Sequence, residues 1–134
     1  MNPTQKPDFV ALRVLVVEDE QIVAADLEQK LIQIGHNVVG LAATSAEAIR
    51  SAEQFRPDLV LMDIHLEGEM SGTVAARSIR ETTGAQIIFV TAYAGVFLRD
   101  PEQMLPPGIC LSKPFSLFQL QAILETLKFP RVSE

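Results

Sequence analysis

The chain has 134 residues, 48% of them apolar and 21% charged, which suits one soluble globular domain and is too short for two. Its 17 acids against 11 bases leave a formal charge of −6, so non-specific binding to nucleic acid or an anionic membrane, whose phosphates would meet a like-signed field, is excluded. A single cysteine, Cys110, rules out an internal disulfide framework; with no apolar run near the roughly 18 residues of a membrane span and no signal-peptide pattern at the N-terminus, a cytoplasmic domain is expected.

Residues Met1 to Asp8 are polar, carry Pro3 and Pro7, and read as a loose tail. Val14-Leu15-Val16-Val17 predicts the first strand. Val23, Leu27, Leu31 and Ile34 then recur at helical spacing, Gly35 is the expected stop, and His36 follows it in a turn, where a surface position is expected. Val38-Val39-Gly40-Leu41 is the second strand. Thr44 and Glu47 make a capping box that opens a helix with Ala48, Ala52 and Phe55 on one face. Leu59-Val60-Leu61-Met62 is the third strand, and a helix runs from about Thr73 to Thr82. Ile87-Ile88-Phe89-Val90 is the fourth strand. The helical region between Tyr93 and Gly108 is interrupted by Pro101 and closed by Pro106-Pro107. Ile109-Cys110-Leu111 is the fifth strand, and Ser116 with Gln119 forms a second capping box ahead of Leu120, Leu124 and Leu127.

The apolar runs are continuous rather than alternating, the pattern of strands covered on both faces. Five strands alternating with five helices predict an α/β fold, a doubly wound five-stranded parallel sheet. Residues 1–10 form an N-terminal tail, 11–129 the domain and 130–134 a C-terminal tail, with no output domain expected after Leu127.

In such sheets ligands bind beyond the carboxyl ends of the strands. The first run is followed there by Glu18, Asp19 and Glu20, the third by Asp63, the fourth by Thr91 and the fifth by Lys113-Pro114-Phe115; Ala42-Ala43, after the second, carry no chemistry. With the first and third strands adjacent, Glu18, Asp19 and Asp63 converge. Two like charges about 4 Å apart repel by roughly 4 kcal/mol near a protein surface, so the site must raise a carboxylate pKa or hold a cation. Carboxylate and carbonyl oxygens suit Mg²⁺. Lys113 can hold a phosphate oxygen, Thr91 can donate its hydroxyl, and Asp63 can act as the nucleophile that forms an aspartyl phosphate. Taken singly, Asp19 and Asp63 read equally well as helix N-caps, Thr91 as a turn residue and Lys113-Pro114 as a surface turn. Their joint occurrence at four strand ends favours the phosphoacceptor.

The segments VLVVEDE, DLVLMD, VTAY and SKPF place Asp19, Asp63, Thr91 and Lys113 at successive intervals of 44, 28 and 22 residues. From Leu12 to Leu127 the chain therefore resembles the receiver domain of bacterial two-component response regulators. The resemblance implies a flavodoxin-like strand order 2-1-3-4-5 and phosphorylation of Asp63 by a sensor histidine kinase or a histidine phosphotransfer protein. It implies Mg²⁺ held by Asp19, Asp63 and the backbone carbonyl of His65, with Glu18 acting through water. Thr91 and Ala92 would meet the phosphoryl group, Lys113 would pair with it, and the Lys113–Pro114 peptide would be cis. The added charge of about −1.5 to −2 would bias a docking face built by the fourth helical region, the fifth strand and the last helix. The output is then a downstream target protein or onward phosphotransfer. No enzymatic turnover beyond its own phosphorylation and dephosphorylation is implied, and a monomer or weak dimer is expected.

Three features depart from the family. Cys110 occupies the position, three residues before Lys113, where receivers carry a Tyr or Phe that swings inward; Tyr93 is the candidate replacement, and Cys110 itself reads as a small core hydrophobe. Gly95 to Pro107 holds three prolines where receivers have a good helix. His65 and Tyr93 flank the pocket at positions that modulate hydrolysis of the aspartyl phosphate in the family. A haloacid-dehalogenase-like phosphatase is the competing class, but it needs a second Asp where this chain has His65, and a cap insertion. A flavodoxin-type nucleotide site needs glycines and hydroxyls where Glu18, Asp19 and Glu20 stand.

Overall fold

The structure, a computed structural model, describes residues 9–64, 72–91 and 109–127. In chain order these form β1 (Arg13–Val17), α1 (Gln21–Ile34), β2 (Asn37–Ala42), α2 (Ser45–Phe55), β3 (Leu59–Asp63), α3 (Gly72–Thr83), β4 (Gln86–Thr91), β5 (Ile109–Ser112) and α4 (Leu117–Thr126). The strands make one parallel sheet in the order β2-β1-β3-β4-β5, as the resemblance implied. The helical region expected between Tyr93 and Gly108 lies outside the described residues, so four of the five expected helices are on view.

The continuous apolar runs divide by strand parity between two layers. Leu15, Val17, Val60, Met62, Ile87 and Phe89 face α2 and α3; Val14, Val16, Leu59, Leu61, Ile88 and Val90 face α1 and α4. The layers differ in their helical side chains. On the first, α2 and α3 present the fully buried small residues Ala48, Ala52, Ala75 and Ala76, with Ile79 as the large contact. On the second, α1 and α4 present Leu27, Leu31, Leu120 and Leu124.

Local signals explain most helix ends. Gly35 takes the left-handed conformation (φ 107°), its N–H donating to Ile32 O at 3.0 Å while the His36 N–H donates to Leu31 O at 3.0 Å, a Schellman termination. Ser116 and Gln119 form a reciprocal capping box, with bonds of 3.1 and 2.8 Å. The box at α2 is displaced: Thr44 Oγ1 accepts from the Glu47 N–H, but the Glu47 carboxylate accepts from the N–H of Ala43 at 2.9 Å, one residue earlier than the motif specifies. Leu127, expected on the last helix, instead caps it in extended conformation and packs against the α1/α4 layer.

The expectation for His36 is corrected. It is buried, its ring stacks on Phe9 with centroids 5.1 Å apart, and its Nδ1 accepts the Leu12 N–H at 3.0 Å. The Schellman turn projects the residue after Gly35 back against the start of β1, and an aromatic with an acceptor atom fits that place. Burial lowers its pKa from the ordinary 6.5, so the neutral ring is favoured.

Candidate functional site

Strand register brings the chemistry to one edge of the sheet. Val17 lies opposite Met62 on neighbouring strands, so Glu18 and Asp63 emerge side by side. Asp63 stands opposite Val90 and Thr91 opposite Ser112, so Thr91 and Lys113 reach the same edge. The Glu18 N–H donates to Ala42 O at 2.9 Å, extending the β1 ladder one residue into the site.

Glu18 and Asp63 are only 3% and 6% exposed, and carboxylates so removed from water require partners. Lys113 serves both. Its Nζ donates to Glu18 Oε1 and lies 3.4 Å from Asp63 Oδ2. The second Glu18 oxygen accepts the Glu20 N–H at 3.2 Å. Burial alone would lower the Lys113 pKa, but the hydrogen bond it donates to Glu18 and the charges of Asp63 and Glu18 outweigh it and the ammonium is held above its ordinary value. The Lys113–Pro114 peptide is cis, and Phe115 beyond it packs against the α1/α4 layer.

Glu18, Asp19 and Glu20 each place a carboxylate oxygen within 4.8 Å of the others. At that separation two unit charges repel by about 3.5 kcal/mol at an effective dielectric of 20 and by about 1 kcal/mol in bulk water. The cost is tolerable if a cation relieves it, and the donors are the hard oxygens that Mg²⁺ takes. Capping does not account for these acids. The N-cap of α1 is Glu20, which makes no side-chain cap bond, and Asp63 ends β3 well before α3 begins at Gly72.

Among the other residues singled out in the sequence, Thr91 is placed as the last residue of β4. His65, Ala92 and Tyr93 lie outside the described residues. Cys110 sits opposite Phe89, half-buried against the α2/α3 layer, and burial pushes its thiol pKa up. Two features escaped the sequence. One is the direct bond between Lys113 and Glu18, 95 residues apart, which no local pattern encodes. The other is Gly72, pressed against the Asp63 backbone; its place at a helix start after an acidic strand end was the available signal. Among the described residues no helix is long and apolar enough to cross a membrane.

The response regulator receiver domain model matches residues 14–125. The phyllosphere-induced regulator PhyR of Methylorubrum extorquens is 37% identical over 123 residues, covering 90% of this chain and 45% of that protein. The transcriptional regulatory protein PdtaR of Mycobacterium tuberculosis is 35% identical over 125 residues, 92% of this chain and 60% of that one. The chain thus spans about half the length of these relatives. In structure it is similar to the response regulator PhyR of Brucella abortus, with a TM-score of 0.76, 34% identity and coverage of 86% and 46%. It is also similar to the receiver domain of PhyR from Erythrobacter litoralis, with a TM-score of 0.77, 29% identity and coverage of 92% and 97%. With its parallel sheet, its acidic strand edge and a family match over most of its length, the chain belongs to the response regulator receiver domain family.

Proposed function

We propose that the chain is a phosphorylation-controlled switch whose acceptor is Asp63. A histidine kinase or histidine phosphotransfer protein presents a phosphorylated imidazole at the open edge. An Asp63 carboxylate oxygen attacks phosphorus, the phosphorus–nitrogen bond breaks, and the imidazole leaves with the electron pair. Lys113 pairs with a phosphoryl oxygen and Thr91 donates to another. Asp19, Asp63 and the His65 carbonyl would hold Mg²⁺, with Glu18 acting through water; when bound, the ion offsets the negative charge on the incoming oxygens. The close approach of the Glu18, Asp19 and Glu20 carboxylates supports that fit.

The observation that carries this reading is the Lys113 ammonium held between Glu18 and Asp63 at the carboxyl edge of the sheet. A cation positioned beside a buried carboxylate is what a phosphoacceptor needs, since the product adds charge where charge is already dense. The chain turns over no substrate, and its output is a changed docking face in the cytoplasm. One relative of known structure is described as an anti-anti-sigma factor, PhyR from Bartonella quintana, and signalling to a protein partner is in keeping with that.

The test is intact mass after incubation with acetyl phosphate, with and without Mg²⁺. One labile phosphoryl group that requires both Mg²⁺ and Asp63 is expected. An adduct that persists in Asp63→Asn refutes the assignment of the acceptor.

A further inference from the structure

Gly72, the first residue of α3, lies against the backbone of the residue that carries the proposed chemistry. A Cβ at this position would fall 2.2 Å from the carbonyl oxygen of Asp63, 3.2 Å from its carbonyl carbon and 3.1 Å from Ile64 Cα. All three atoms are backbone, so no rotamer change relieves the overlap. Gly72 is itself buried, and its N–H donates to Ile64 O at 3.3 Å. Its φ is not in the left-handed region, so the position demands glycine for space rather than for torsion. Gly84 is the opposite case, with φ +75° and nothing within 4 Å of a built Cβ.

We propose that Gly72 is a positioning residue for Asp63. The β3–β4 ladder holds the Asp63 backbone from one side and the start of α3 closes on it from the other. Together they fix the plane of the peptide after Asp63, and with it the direction in which the carboxylate leaves the strand towards Lys113. A methyl group at residue 72 must move the helix or the strand end by about 1 Å to reach the 3.4 Å where ordinary contact begins. Misplacement on that scale costs a positioned reaction about a hundredfold. The inference rests on Asp63 as phosphoacceptor for its kinetic consequence, though not for its geometric one.

The experiment compares Gly72→Ala with Gly84→Ala, which introduces backbone strain away from Asp63 and controls for lost stability. Two readouts are taken: the rate of phosphorylation by acetyl phosphate with saturating Mg²⁺, and the backbone carbonyl and carboxyl ¹³C chemical shifts of Asp63 in metal-free protein at neutral pH, which report the placement of the residue without any phosphodonor. Gly72→Ala should phosphorylate roughly a hundredfold more slowly and show displaced Asp63 shifts, while Gly84→Ala matches the wild type in both. Wild-type Asp63 shifts in Gly72→Ala, or equal displacement in both variants, overturn the proposal. A wild-type protein that takes no phosphoryl group refutes the acceptor reading alone, and the chemical shifts still decide the role of Gly72. If Gly72→Ala does not fold in buffer, the shifts are recorded in trimethylamine N-oxide, which strengthens burial; a chain still unfolded there makes the residue structural and overturns the proposal.

Discussion

Replacing Asp19 with asparagine should stabilise the metal-free protein. Its carboxylate lies within 4.8 Å of those of Glu18 and Glu20. Glu18 is partly compensated by Lys113, so the Glu20 pair and a residue of the Glu18 pair count. At an effective dielectric of 20 each full pair is worth about 3.5 kcal/mol, and exposure of Glu20 brings its share nearer the aqueous value of about 1 kcal/mol. Screening at physiological salt, with a Debye length of about 8 Å, roughly halves what remains. Against this, the substitution removes a negative charge near the N-terminus of α1, a loss of about 0.3–1 kcal/mol. The net gain is about 0.5–1 kcal/mol, or roughly 2–4 °C in Tm for a domain of this size. Thermal unfolding followed by circular dichroism at 222 nm in EDTA checks it. Millimolar Mg²⁺ should then raise the wild-type Tm through mass action and leave Asp19→Asn nearly unmoved. If Asp19→Asn melts at or below the wild type in EDTA, the acids are not in mutual repulsion and the argument for a cation fails.

Lys113→Met strips the buried Glu18 and Asp63 of their shared cation and should cost about 3–5 kcal/mol at neutral pH, measured by urea unfolding. Because Lys113 titrates above its ordinary 10.5 in the folded protein, its stabilisation is complete below that pH and is lost as pH rises through the raised value. Wild type should therefore lose stability above pH 10.5 faster than Lys113→Met. His36 works in the opposite sense: its folded pKa is lowered, so its contribution is complete above 6.5 and falls as pH drops below it. His36→Asn keeps an acceptor for the Leu12 N–H without titrating, and its stability should be flatter between pH 7 and 5 than that of the wild type, by urea unfolding at each pH. In the core, Leu31→Ala should cost about 2–5 kcal/mol through cavity formation, and Ala75→Leu about 1–3 kcal/mol through overpacking of the alanine layer, both from the midpoint of chemical denaturation.

Much of this molecule was legible because its signals are local or periodic. Unbroken apolar runs such as Leu59–Met62 announce doubly covered strands, and acids or a lysine placed directly after such runs fall at the carboxyl edge of any parallel sheet. Gly35, Ser116 and Gln119 wrote their helix ends in side-chain chemistry. What could not be read was contact between distant segments. His36 looked like a surface turn residue because nothing near it in sequence reveals that Phe9 and the Leu12 N–H close over its ring. Glu47 reached past its own N-cap to Ala43, a choice between two N–H groups one residue apart. Lys113 was placed at the site by its position, but that it holds Glu18 directly depends on the geometry between β1 and β5, which are not neighbours in the sheet.

That last contact ties the site together as a strap. It runs from the end of β1 to the end of β5, bridging over β3 and β4, and an arriving anion must share or break it. An ammonium has three N–H donors, so Glu18, Asp63 and a newcomer can divide them. Whatever Glu18 surrenders must be made good, because a carboxylate at 3% exposure gains nothing from water. A cation lodged among the neighbouring acids would make it good, so anion and cation would each tighten the binding of the other, by the same factor in both directions. The strap thereby couples the middle of the sheet edge to its outer strand: a change of partner at Glu18 is felt at Lys113 and, one residue away, at β5.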